Sequence, residues 1–344
     1  DALPISYFEG ELEDFAGKDV AGLRDVGGDQ IPDFAFGAAH PGGIGVVTVL
    51  AGGAPHPSGS LAARGYQLFG TRINGQFGSE IASCPDTDGD GRSEIAIGEP
   101  GPLGGGYELA GCVHLVYGDP SFDGEDKSLL GGKETLRRRT FIGASSGDAF
   151  GHAIECADFD CDGKTDLIVG APGANGGAGA TYIIYNIANP DLPDVVSIAD
   201  LGTPSLPGAI LSGQHEGDQL GFALTIASDF DGDQKIDLII GAPGTGSNRG
   251  SAWFVYGGLR PEGEVELTSD SCAFQAFELF PSSATVGTDG TGGTVPRAQL
   301  FGYSLSSGDA TNNGRSDVVI GSPGFNNRGA VYIIDGASNA ELPH

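Results

Sequence analysis

The 344 residues carry 46 acidic and 17 basic side chains, a net charge of −29, and 61 glycines without a three-residue period; 39% are hydrophobic. This excludes a collagen-like rod, a disordered tail, and a nucleic-acid or anionic-lipid partner. No apolar run reaches the ~18–20 residues that span a bilayer.

Methionine is absent and the sequence opens at Asp1, which reads as a processed, secreted chain. The first segment, Pro4–Gly17 (PISYFEGELEDFAG), reads as a strand. After it a nine-residue motif recurs: DVGGDQIPD from Asp25, DTDGDGRSE from Asp86, DFDCDGKTD from Asp158, DFDGDQKID from Asp229 and DATNNGRSD from Asp309. Twelve residues after each first Asp stands a glycine (Gly37, Gly98, Gly170, Gly241, Gly321), which opens a GAPG-like turn. Eight or nine residues before the four better copies stand Phe77-Gly78, Phe150-Gly151, Leu220-Gly221 and Phe301-Gly302.

Each unit reads as four short strands. The second (EIAIG, DLIVG, DLIIG, DVVIG) is apolar enough to be buried on both faces, and the third opens at a glycine and alternates (GATYIIY, GSAWFVYG). Four antiparallel strands joined by Gly/Pro turns describe a propeller blade. The first acids stand 61, 72, 71 and 80 residues apart, which gives five units and no gap for a hidden one. The last unit lacks a fourth strand, so the N-terminal strand is expected to complete it. The predicted fold is all-β: one domain over residues 1–344, a five-bladed propeller closed by its own N-terminus. The longest unit carries the Thr/Ser/Gly-rich insertion Ser282–Arg297, expected to be a surface loop.

The co-occurrence of Phe-Gly, acidic loop and Gly-Ala-Pro resembles the FG-GAP repeat. That repeat is the blade unit of integrin α-subunit headpieces and is also found in glycosylphosphatidylinositol-specific phospholipase D and bacterial surface proteins. The resemblance covers essentially the whole chain and implies a β-propeller with calcium in the loop between the first and second strands. Integrin propellers have seven blades against five here. The sequence has neither Arg-Gly-Asp nor an inserted integrin-type domain, so no integrin partner carries over.

Calcium takes six to eight oxygens, and a D-x-D-x-D-G-x-x-D loop offers side-chain oxygens at positions 1, 3, 5 and 9 and a carbonyl at 7. Four sets are assigned to metal: Asp86, Asp88, Asp90, Glu94 and the Arg92 carbonyl; Asp158, Asp160, Asp162, Asp166 and the Lys164 carbonyl; Asp229, Asp231, Asp233, Asp237 and the Lys235 carbonyl; and Asp309, Thr311, Asn313, Asp317 and the Arg315 carbonyl. Gln234 replaces glycine at position 6 of the third set, which questions its turn geometry. The fourth set has two carboxylates and is expected to bind more weakly. In the first copy Gly27 stands at position 3, leaving the poorer set Asp25, Asp29 and Asp33. The expectation is four Ca²⁺ ions, five if the first copy also binds.

The six histidines show no zinc-ligand spacing, and no Gly-x-Ser-x-Gly elbow or Walker motif occurs, so no catalytic residue is assigned. Arg137–Arg139 reads as a solvated strand end. His114, Tyr182, Trp253 and Tyr332 recur on the third strand and read as inter-blade packing, with a sugar-stacking platform as the sharper alternative. Of the five cysteines (84, 112, 156, 161, 272), Cys156 with Cys161, Cys84 with Cys112, and Cys84 with Cys156 are all open pairings.

The expected function is an extracellular or cell-surface calcium-binding adhesion and assembly module: a surface or fibre subunit contacting protein or glycan, including copies of itself. It is expected not to be an enzyme. A calcium-dependent lectin is the first alternative, and a polysaccharide lyase or hydrolase the second.

Overall fold

The computed structural model describes residues 8–10, 15–39, 43–53, 58–60, 65–101, 110–122, 136–268, 276–281, 286–288, 294–296 and 298–336. Its strands build five sheets around an axis, a five-bladed β-propeller. Blade 1 is β2 (Ala16–Gly22), β3 (Phe34–Ala38), β4 (Val46–Leu50) and β6 (Tyr66–Phe69), with β1 (Phe8–Glu9) and β5 (Gly59–Ser60) beside it. Blade 2 is β7 (Ile81–Cys84), β8 (Glu94–Glu99), β9 (Cys112–Val116) and β10 (Arg138–Ile142). Blade 3 is β11 (Ala153–Ala157), β12 (Asp166–Ala171), β13 (Ala180–Ile184) and β15 (Gly208–Ser212), with β14 (Val195–Ser197) in the connection before β15. Blade 4 is β16 (Ala223–Ala227), β17 (Asp237–Ala242), β18 (Ser251–Val255) and β20 (Ala276–Leu279), with β19 (Gly263–Glu266) before its last strand. The insertion after β20 is in part a hairpin, β21 (Val286–Thr288) against β22 (Thr294–Pro296), which extends the sequence expectation of a loop. Blade 5 shows β23 (Ser304–Gly308), β24 (Asp317–Ser322) and β25 (Ala330–Ile334).

The second strands β8, β12 and β17 are buried at every residue, as their continuous apolar runs require. Packing between blades follows one rule. In blades 1 to 4 the third strand lays alternate residues on the first and second strands of the next: Val47 and Val49 on Ile81 and Ile95, Val113 and Leu115 on Ile154 and Leu167, and Ala252 and Phe254 on Val318 and Ile320. The GAP-type glycine is needed for this approach. A Cβ at Gly37, Gly98, Gly170 or Gly241 would stand 1.9, 2.3, 2.0 or 2.0 Å from the carbonyl oxygen of Gly78, Gly151, Gly221 or Gly302 in the following blade.

Each Phe-Gly glycine has positive φ and is preceded two positions earlier by a second left-handed residue: Gln76, Ala149, Gln219 or Leu300. Phe15 and Gly17 repeat that pair at φ 56° and 84°. Ala16-Gly17 is therefore the fifth Phe-Gly copy, which the sequence disguises by placing alanine where phenylalanine or leucine stands elsewhere.

The seam between blades 5 and 1 differs. Val331 and Ile333 on β25 are 69% and 62% exposed, and Val20 on β2 and Phe34 on β3 62% and 46%, although their counterparts in the other blades are buried or nearly so. Of the N-terminal segment expected to complete blade 5, the described part β1 pairs in parallel with β5. This is how β10 pairs with β14, and β15 with β19: the outer strand of one blade against the last connection of the next. β1 thus takes, beside blade 1, the place of a preceding blade's fourth strand; among the described residues β25 has no partner on its outer edge.

Cys84 on β7 and Cys156 on β11 form a disulfide across the seam of blades 2 and 3, while Cys112 and Cys161 are free; Cys272 lies outside the described residues. Among the described residues no helix is long and apolar enough to cross a membrane.

Candidate metal centre

The acidic loops join the same ends of the first and second strands in every blade, so they share one rim of the ring. All five have one backbone course. Position 4 is left-handed in each (Gly28, Gly89, Cys161, Gly232, Asn312), and so is position 6 (Gln30, Gly91, Gly163, Gln234, Gly314). Gln234 adopts φ 67° there, so the missing glycine leaves the turn intact.

The acid at position 1 closes the curl by accepting backbone amides. Asp86 takes Gly89 N and Gly91 N at 2.7 and 2.9 Å, Asp158 takes Asp162 N and Gly163 N at 3.0 and 2.9 Å, and Asp309 takes Asn313 N and Gly314 N, both at 2.9 Å. Position 5 turns toward the amide of position 7: Asp90 accepts Arg92 N (2.8 Å), Asp162 Lys164 N, Asp233 Lys235 N, and Asn313 Arg315 N. The position-7 side chains also pair with it, Arg92 with Asp90 at 2.7 Å and Lys235 with Asp233 at 2.8 Å.

Position 9 does more than the sequence suggested. Asp166 accepts Phe159 N (3.0 Å) and Asn186 N (2.9 Å), and Asp237 accepts Phe230 N (2.8 Å) and Gly257 N (3.1 Å). Asp317 accepts Ala310 N and Gly336 N, both at 2.9 Å. Each ties its loop to the residue just beyond the third strand. Asp33 does the same with Val26 N and Gly52 N, so the first copy keeps this lock.

Three loops bring carboxylate oxygens within 4.8 Å of one another: Asp86, Asp88 and Asp90; Asp158, Asp160 and Asp166; and Asp229, Asp231 and Asp237. Among the described residues the sets at Asp309 and Asp25 form no such trio. Burial raises the position-9 acids, Glu94 to about 8, Asp166 to about 7 and Asp237 to about 6, with the neighbouring carboxylates adding to the shift. Asp317 goes the other way, held down by the Gly336 amide. Glu94 Oε1 is buried without a hydrogen-bond partner among the described residues, an acceptor free for a cation. All-oxygen clusters of this kind suit a hard divalent ion.

Two arginines reach over these loops. Arg137 pairs with Asp88 while its guanidinium lies 3.9 Å from the Tyr117 ring centroid, and Arg260 of blade 4 pairs with Asp160 and Asp162 above Tyr185. The basic run is thus not simply solvated: Arg139 is buried, donating to the Ile187 and Leu192 carbonyls. Of the recurrent aromatics His114, Tyr182 and Trp253 are buried, Tyr182 against Phe150 at 5.3 Å and Trp253 at 4% exposure inside the cluster joining blades 3 and 4, while Tyr332 is half-buried.

The FG-GAP repeat family matches residues 150–184 and 301–334. The chain is 29% identical over 262 residues to phosphatidylinositol-glycan-specific phospholipase D of Rattus norvegicus, covering 72% of this chain and 26% of that protein. It is 28% identical over 239 residues to integrin alpha-D of Homo sapiens (64% and 18%) and 35% identical over 182 residues to human integrin alpha-IIb (48% and 15%). The chain spans about a quarter or less of the length of these relatives.

Proposed function

We propose that this chain, which carries FG-GAP repeats on a five-bladed β-propeller, is an extracellular, calcium-stabilised adhesion and assembly module rather than an enzyme. The observation that carries the reading is the convergence of three carboxylates in each of three equivalent loops on one rim. Calcium there would be held by Asp86, Asp88 and Asp90, by Asp158, Asp160 and Asp166, and by Asp229, Asp231 and Asp237, with Glu94 adding its free oxygen. The Asp309, Thr311, Asn313 and Asp317 set would hold a weaker fourth ion. The ion supplies positive charge that cancels carboxylate repulsion, and the loops, already curled by their own amide bonds, present a fixed rim to a protein partner. The Cys84–Cys156 disulfide supports an oxidising compartment. The names of the integrin relatives support a binding role, and that of the phospholipase relative covers a protein of which this chain resembles a quarter.

Calcium titration of the chelator-stripped chain, followed by calorimetry and thermal unfolding, tests the reading. Saturable uptake of at least three ions with a rise in melting temperature is expected. No uptake at millimolar calcium, with identical unfolding curves in EDTA and calcium, would overturn it.

A further inference from the structure

Blade 2 departs from its sister blades at three positions that touch. Where blade 3 has Ala171, Ala180 and Tyr182, and blade 4 has Ala242, Ser251 and Trp253, blade 2 has Glu99, Cys112 and His114. Glu99 and Cys112 are cross-strand partners and His114 lies two residues along β9, so all three share one sheet face. All three are buried. Their donor atoms converge: His114 Nε2 is 2.9 Å from Glu99 Oε2 and 3.4 Å from Cys112 Sγ, and Sγ is 3.6 Å from Oε2. A tetrahedral ion with bonds of ~2.3 Å to sulfur and ~2.0–2.2 Å to nitrogen and oxygen has ligand–ligand edges of roughly 3.3–3.6 Å, which the two sulfur separations match; the His114–Glu99 separation is a hydrogen bond that the ion would replace and lengthen.

The surroundings orient each donor. Glu99 Oε1 accepts Thr71 N (3.2 Å) and Arg72 N (3.0 Å), and Thr71 Oγ1 donates to Oε2 (3.0 Å). His114 Nδ1 meets Thr140 Oγ1 at 3.0 Å, a contact that can hold the proton on Nδ1 and leave the Nε2 lone pair facing the cluster.

We propose that Glu99, Cys112 and His114 form a site for a borderline transition-metal dication of the zinc type, separate from the all-oxygen loops. Binding releases the Cys112 thiol proton to solvent. The dication, one thiolate, one carboxylate and a neutral imidazole then sum to zero charge, which suits a buried position. Sulfur and imidazole donors select this class over calcium. Three protein ligands leave one position for an exogenous oxygen. In the fold the ion would pin β8 to β9 at the seam with blade 1, where blade 3 has two alanines and a tyrosine at the equivalent positions.

The full chain, with its Cys84–Cys156 bond intact and stripped of metal, is titrated with Co²⁺ in excess calcium. The proposal expects one equivalent bound with a thiolate-to-metal charge-transfer band and tetrahedral d–d bands, one proton released, and displacement by Zn²⁺. Asp231→Asn, in a calcium loop, keeps these signals, while Cys112→Ser loses the charge-transfer band. The triple variant Glu99→Ala/Cys112→Ala/His114→Tyr copies blade 3, so it is expected to fold and to lose the site. A folded wild type that takes up no Co²⁺ at micromolar concentration, or the same spectrum from the triple variant, overturns the proposal. So does Co²⁺ bound without the charge-transfer band.

Discussion

Replacing Asp231 by asparagine separates the electrostatic cost of an acidic loop from its gain on binding calcium. Asp231 is buried and its oxygen lies within 4.8 Å of those of Asp229 and Asp237. At that distance two unit charges repel by about 0.9 kcal/mol even at the permittivity of water, so removing one of three relieves about 2 kcal/mol. Asparagine keeps the acceptor for Asp233 N, a 3.0 Å bond, so the turn survives. In EDTA at pH 8 the variant is therefore expected to be more stable than the wild type by about 2 kcal/mol. Calcium at 100 to 1,000 times the dissociation constant stabilises a site by about 2.7 to 4.1 kcal/mol, and the variant forfeits that increment at this loop. Urea unfolding with and without calcium measures both quantities. A variant less stable than wild type in EDTA, or one whose gain from calcium equals the wild type's, refutes the reasoning.

Removing the Cys84–Cys156 bond by a double serine substitution opens a loop of 72 residues and is expected to cost about 4 kcal/mol in denaturant; an unchanged midpoint counts against the bond. Phe150 is fully buried at the seam of blades 2 and 3, and Phe150→Ala is expected to cost about 3–5 kcal/mol. Phe150→Leu is expected to cost about 1 kcal/mol, because Leu220 fills the same position in blade 4; equal losses for the two would refute the equivalence. Burial, then Asp19 and Glu155, raises Glu80 to about 8, so the folded form holds a proton that the unfolded chain releases above about 4.5. Stability of the metal-free protein should fall as pH rises from about 4.5 to about 8, and Glu80→Gln should flatten that fall. A melting-temperature slope between pH 5 and 8 that is the same in both proteins removes Glu80 as its source.

The fold was legible because its signal repeats: the fixed offset from first acid to GAP glycine recurs five times, and that glycine answers a backbone contact present at four seams. Ala16-Gly17 was hidden because its left-handed backbone is conformational and its side chain is atypical. The double duty of the ninth loop position was hidden because its amide partners, Asn186, Gly257 and Gly336, lie about twenty residues downstream, beyond any local motif. The Glu99, Cys112 and His114 cluster escaped a search for zinc-ligand spacing because hairpin register, rather than spacing, places Glu99 opposite Cys112. Arginine at 139 is buried because two backbone carbonyls from the next blade receive its guanidinium, a contact that the run of like charges did not announce.

The sulfur bridge between β7 and β11 also sets what the chain does under load. Tension that unfolds the chain adds its extended length to the tether. The stretch between Cys84 and Cys156, which stand 72 positions apart, is exempt. At ~3.3–3.6 Å per residue it withholds about 240–260 Å of slack until a reductant cuts the bond. A partner pulling on this protein in an oxidising medium would therefore feel a shorter, stiffer rope than its residue count implies.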